Sequence, residues 1–117
     1  MSRSLLLQLA RDSIEEVLQA QNTIDKKTLL DQHPLLDSKL PITFNLYLKQ
    51  ELRGSYTNHT QQLSLLENVI IGAKKAAFED EDFSPISTSE YPSCELELIL
   101  TTEDGVISER DPAILKN

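Results

Sequence analysis

Two segments set the architecture: Pro41-Ile42-Thr43-Phe44-Asn45-Leu46-Tyr47-Leu48 and, after Lys49-Gln50, Glu51-Leu52-Arg53-Gly54-Ser55-Tyr56-Thr57. In the first, Ile42, Phe44, Leu46 and Leu48 alternate with Thr43, Asn45, Tyr47 and Lys49. This is the period of a strand with one buried face. The second is separated from it by a gap too short for a parallel crossover, so the two predict an antiparallel hairpin over 42–48 and 51–57. Lys49-Gln50 would form the turn without the glycine or asparagine that primed hairpin turns prefer.

On either side of the hairpin the period changes. Leu6, Leu9, Ala10, Ile14, Val17 and Leu18 recur at helical spacing, with Arg11, Asp12, Glu15 and Glu16 between them. They predict an amphipathic helix from Ser4 to Ala20. Residues 21–40 read as an ordered connection pinned to the core by its leucines, with room for one helical turn. Ser64-Leu65-Leu66-Glu67 is a capping box that opens a second helix. Its stripe runs Leu66, Val69, Ile70, Ala73, Ala76 and Ala77, small enough near the end to lie close to a sheet, and Phe78 finishes it. Glu79 to Pro92 reads as an acidic loop. Cys94, Leu96, Leu98 and Leu100 then alternate with Glu95, Glu97, Ile99 and Thr101 as a third strand. Glu103-Asp104-Gly105 turns into a short pairing at Val106-Ile107, and Asp111-Pro112 ends regular structure. The order predicts an α+β fold with a mainly antiparallel sheet flanked by helices.

Length and composition are consistent with one domain spanning residues 1–117. The 117 residues are 39% hydrophobic and 26% charged, in the range of a folded globular chain rather than a disordered one. The single cysteine excludes an intrachain disulfide and a cysteine-rich zinc site, and it suggests a reducing compartment. The net charge of −8 lies wholly in the second half: residues 1–58 balance seven bases against seven acids, whereas 59–117 hold four bases and twelve acids. A nucleic-acid binder needs a basic footprint, and an anionic lipid surface attracts one; neither is expected as a partner here. Leu5-Leu6-Leu7 is too short for a signal-peptide core, and no run approaches a membrane span. The expectation is a cytoplasmic protein.

Residues able to carry chemistry are few. His33 and His59 have no partner at metal-ligand spacing, and Glu79-Asp80-Glu81-Asp82 lacks the alternating ligands and glycine of a calcium loop. No metal or other cofactor is therefore expected. Cys94 falls on the leucine side of its strand, which points to a buried structural thiol that reacts slowly in the folded state. The Arg53-Gly54-Ser55 step is the unusual one. Glycine inside a strand marks a bulge or the close approach of another group. Arg53 beside it has the fork to clamp a carboxylate or phosphate. Ser55 would serve as a nucleophile only with a base such as His59 beside it. Against this stands a plainer reading: Arg53 pairs with one of the many acids, and Gly54 bends the strand.

Phe44-Asn45-Leu46-Tyr47-Leu48 running into Leu52-Arg53-Gly54-Ser55 resembles the central signature of the AMMECR-like family, Leu-Arg-Gly-Cys-Ile-Gly after a strand. Leu65 to Ile70, with Ala73, Ala76, Ala77, Phe78, Asp80 and Phe83, is similar to that family's alanine-rich helix and the turn after it. Glu95 to Thr101 is similar to its next strand. Ser55 stands where the family has cysteine, and Tyr56-Thr57 where it has Ile-Gly. The family's Leu-Pro-Gln-Val and Lys-Ala-Gly-Leu segments are absent, so the resemblance is to a shortened, divergent member lacking the C-terminal part. It implies an α+β fold with no established reaction. Some members are fused to, or encoded with, a Memo-like domain and a radical S-adenosylmethionine domain, which suggests a modification pathway.

Two functional expectations follow. One is an accessory or interaction module with a protein partner or self-association, most simply a two-fold homodimer that buries apolar surface. The other is an enzyme or small-ligand-binding domain using Arg53, Gly54 and Ser55, with Ser55 and His59 as the catalytic candidates.

Overall fold

The structure is a computed structural model that describes residues 4–59 and 61–114. Helix α1 spans Leu5–Gln19, α2 Lys26–Gln32 and α3 Leu65–Phe78, and strands β1 Ile42–Leu48, β2 Glu51–Asn58, β3 Cys94–Thr102 and β4 Gly105–Asp111 form one sheet. The sheet order is β2-β1-β3-β4, and every neighbouring pair is antiparallel.

The hairpin forms as its sequence period requires. β1 alternates between buried Ile42, Phe44 and Leu46 and half-buried Thr43, Asn45 and Tyr47. Lys49 and Gln50 both take positive φ (53° and 69°), so the turn has primed geometry although neither residue is glycine or asparagine. In β3 the buried face is Cys94, Leu96, Leu98 and Leu100. β4 is longer than the short Val106-Ile107 pairing expected, because the ladder with β3 continues to Leu96↔Asp111.

Both long helices are capped by serine: Ser64 accepts from the Glu67 amide at 3.2 Å, and Ser4 from Leu7 at 3.3 Å. The α1 stripe is rotated from its expected position. Arg11, Ser13 and Glu16 are buried, while Val17 is 46% exposed. The buried side chains of Ser13 and Glu16 both have hydrogen-bond partners. Ser13 donates back to the Leu9 carbonyl, and Glu16 accepts from the amides of Thr23 and Ile24 and from Lys74 Nζ. The connection is also more helical than expected. Asp25 caps α2 through Thr28, and Pro34 starts a 3-10 helix over Pro34–Asp37 that buries Leu36.

One core joins α1, α3 and one face of the sheet. The helices share that face, and among the described residues no helix packs on the other. That second face carries Thr43, Asn45 and Tyr47 of β1, Ser55 and Thr57 of β2, Glu97 and Ile99 of β3, and Ser108 and Arg110 of β4.

Candidate functional site

The Arg53-Gly54-Ser55 step holds both features that its composition suggested. Leu46 pairs with Gly54 and Tyr47 with Leu52, so Arg53 is the extra residue of a bulge. Gly54 faces the core beneath α3, where any Cβ would collide with the main-chain oxygen of Ala76. The glycine permits helix and strand backbones to touch, and Ala73, Ala76 and Ala77 supply a helix surface flat enough to match.

The bulge aims Arg53 at the loop after α3. Its Nε and Nη2 each lie 3.1 Å from an oxygen of Glu90, a two-pronged ion pair, and Nη1 donates to the Ser84 carbonyl at 2.8 Å. Hydrogen bonds from Arg53 and from the Ser87 amide hold the Glu90 carboxyl down to about 2. The fork of Arg53 is thus filled by the chain's own acid. Ser55 anchors the same loop from the other side: its amide donates to Asp80 at 2.8 Å, and Asp80 also accepts from the Asp82 amide. The resemblance therefore joins two sequence blocks that form one clamp across the outer edge of β2.

The Ser55 hydroxyl points to the second face and donates to Asn45 Oδ1 at 2.7 Å. Asn45 Nδ2 and the Tyr47 hydroxyl both donate to Glu97 Oε1, at 3.0 and 2.8 Å. Hydrogen bonds from Asn45 and Tyr47, with Arg110 nearby, keep Glu97 below the usual carboxylate range. Arg110 lies 4.5 Å over the Tyr47 ring. The chain of contacts is well ordered, but it does not activate Ser55. A carboxamide oxygen is too weakly basic to take the hydroxyl proton, and an acid held ionised two contacts away cannot reach it. His59 lies beyond the end of β2, about 13 Å along the strand at ~3.3 Å per residue. The structure thus turns Arg53 to the loop after α3, Gly54 to the core and the Ser55 hydroxyl to the second face, with His59 beyond the end of the strand.

Beside the clamp is a cleft of about 400 Å³ lined by Ser55, Tyr56, Thr57, Lys75 and the acidic run 79–82. Among the described residues, no cluster of three or more histidine, cysteine or acidic side chains is placed to hold a metal. Cys94 is fully buried, and burial pushes its thiol up to about 11. Above it Arg11, also fully buried, pairs with Asp111, donates to the carbonyls of Cys94 and Pro112, and lies 5.2 Å over the Tyr91 ring.

The AMMECR1 family model matches residues 7–113, which include the bulge, the clamp and all four strands. The chain belongs to this family. Among solved structures, the AMMECR1 chain is similar to an uncharacterised protein, PH0010, from Pyrococcus horikoshii, with 28% identity and a TM-score of 0.73. The match covers 83% of this chain and 49% of that one, so the AMMECR1 chain here spans about half of PH0010. No curated protein matches it. The AMMECR-like fold read from the linked sequence blocks is the fold observed.

The partners Asp80, Glu90, Asn45, Tyr47 and Glu97 were not foreseen as a group. Part of the signal was there: Asn45, Tyr47 and Glu97 occupy the polar half of two clean alternations, which places them on one face once the strands pair. For Arg11 the signal was its place one turn after Leu7 and next to Ala10 and Ile14.

Proposed function

We propose that this AMMECR1 domain is a cytoplasmic accessory or interaction module of a modification pathway that works by binding a protein partner rather than by catalysis. One observation carries the reading: the polar side chains around the family signature are spent on one another. Arg53 is occupied by Glu90 and Ser84, and the Ser55 hydroxyl by Asn45, an amide that cannot act as its base. What stays available is the broad second face of the sheet, where Tyr47 and Arg110 stack above an ordered polar network. Tyrosine and arginine are the residue types that most often anchor protein interfaces.

The test is affinity purification from native cells with three forms of the chain. A partner retained by wild type and by Lys27→Ala on α2, but lost with Tyr47→Ala, supports the module. Turnover of an ester or phosphate substrate that disappears in Ser55→Ala would overturn it. A second reading, small-ligand binding along Arg53-Gly54-Ser55, is favoured by the cleft beside Ser55, whose acidic wall suits a cationic ligand.

A further inference from the structure

The acidic loop between α3 and β3 carries one serine set apart from its other hydroxyls. The chain has five prolines, and only Pro85 follows a serine or threonine. Ser84 and Pro85 are both exposed, and residues 84–87 form neither helix nor strand. The loop is nonetheless held on either side of this step. Asp80 receives the Ser55 amide, and the buried Ile86 donates its own amide to the Ala77 carbonyl at 2.9 Å. Ser84 is thus an exposed hydroxyl residue on an irregular segment of fixed position.

Beside that residue lies Arg53. Glu90 takes its Nε and Nη2, each at 3.1 Å. The rest of the guanidinium faces Ser84. Nη1 meets the Ser84 carbonyl at 2.8 Å, while Nη2 reaches the Ser84 hydroxyl and the Pro85 carbonyl only at 3.4 Å each. Contacts of that length lie beyond the usual range of an N–H···O hydrogen bond, so Nη2 keeps a poorly matched donor directed at Ser84. A guanidinium binds a phosphate more strongly than a neutral hydroxyl. We propose that Ser84 is a phosphorylation site whose phosphate docks on Nη1 and Nη2 of Arg53, while Glu90 keeps the other side of the fork.

The modification is phosphoryl transfer from a nucleoside triphosphate by a serine/threonine kinase that selects a following proline. The Ser84 oxygen attacks the terminal phosphorus, and the bond from that phosphorus to the bridging oxygen breaks. The nucleoside diphosphate leaves, and the hydroxyl proton passes to the kinase's base. Position decides the effect. The same loop holds Glu79, Asp80, Glu81, Asp82 and Glu90, so a phosphate placed away from a cation would meet like charge. The Ser87 hydroxyl, for one, already bonds Glu90. At Ser84 the guanidinium is within reach, and new charge-assisted bonds tie the loop more firmly to the bulge of β2. The clamp then resists opening, whether or not the second face holds a partner.

The experiment treats the full chain with ATP and a proline-directed kinase and locates the phosphate by mass spectrometry. One phosphate at Ser84 is expected, and none in Ser84→Ala. Its second ionisation, about 6 for a free phosphoserine, is then followed by phosphorus NMR in the folded chain and in urea. The acids of the loop alone would raise that value on folding, whereas contact with Arg53 lowers it. A lower value in the folded chain is expected, and Arg53→Gln should abolish the lowering. The comparison of folded with unfolded wild type holds even if that variant misfolds. Phosphorylation should also raise the urea midpoint. No phosphate on the folded chain, a phosphate at another loop hydroxyl instead, an ionisation unchanged or raised on folding, or a lower urea midpoint would overturn the proposal.

Discussion

At Gly54 one hydrogen atom decides how closely a helix and a strand can pack. The side chain there points at α3, and a methyl group would press on the Ala76 carbonyl oxygen, which the helix cannot move without bending. Gly54→Ala should therefore destabilise the fold by about 3 kcal/mol, read as a lower urea midpoint with little change in slope. A variant as stable as wild type would show that α3 has room to retreat. The sequence marked Gly54 as unusual, since glycine weakens a strand interior unless something needs the space. It did not say that the occupant is a helix backbone, because Ala76 lies far along the chain.

The same limit applies to the clamp, one level up. Glu79 to Pro92 reads as an acidic loop, in which the family resemblance marks Asp80 but nothing distinguishes Glu90 from the other acids. Their roles come from position: Asp80 closes the edge of β2 at Ser55, and Glu90 fills the fork of Arg53. The Glu90 carboxyl is lowered from 4.5 to about 2 in the folded chain. Its contribution to stability is thus fully present above pH 4.5 and is lost as pH falls from 4.5 toward 2. Urea unfolding at stepped pH should show a decline in that window, and Glu90→Gln should be weaker at neutral pH but flatter across it. A variant with the wild-type slope would place the acid sensitivity elsewhere. The hairpin and helices were more legible than this loop because their periods repeat locally, whereas the loop owes its shape to partners on β2.

Across the whole molecule, Arg11 joins the first helix to the last strand. Its guanidinium is fully buried, pairs with Asp111 and touches the carbonyls of Cys94 and Pro112. Removing one partner of such a pair leaves a charge in the core, so Asp111→Ala should cost about 3–5 kcal/mol. Cys94 lies beneath the pair, and in the intact fold it should react slowly with a thiol reagent, since burial both hides the thiol and raises its pKa to about 11. Labelling should accelerate in Asp111→Ala well before global unfolding. Equal rates in the two proteins would mean that the ion pair does not hold the sheet closed over Cys94.

The amino-acid order alone determined the antiparallel hairpin, both long helices, the third strand and the family signature. Each of these follows from a period of two or 3.6, or from a cap three residues away, and such forces act between near neighbours in the chain. Only the tertiary structure decided that Arg11 is buried, that Arg53 belongs to Glu90, and that the Ser55 hydroxyl rests on an amide. It also decided that the outer edge of β2 is sealed at Ser55 by Asp80. Those outcomes depend on contacts between residues from ten to a hundred positions apart. The charge or hydroxyl of each residue was visible in the sequence, but its partner was chosen by the way the helices and strands packed.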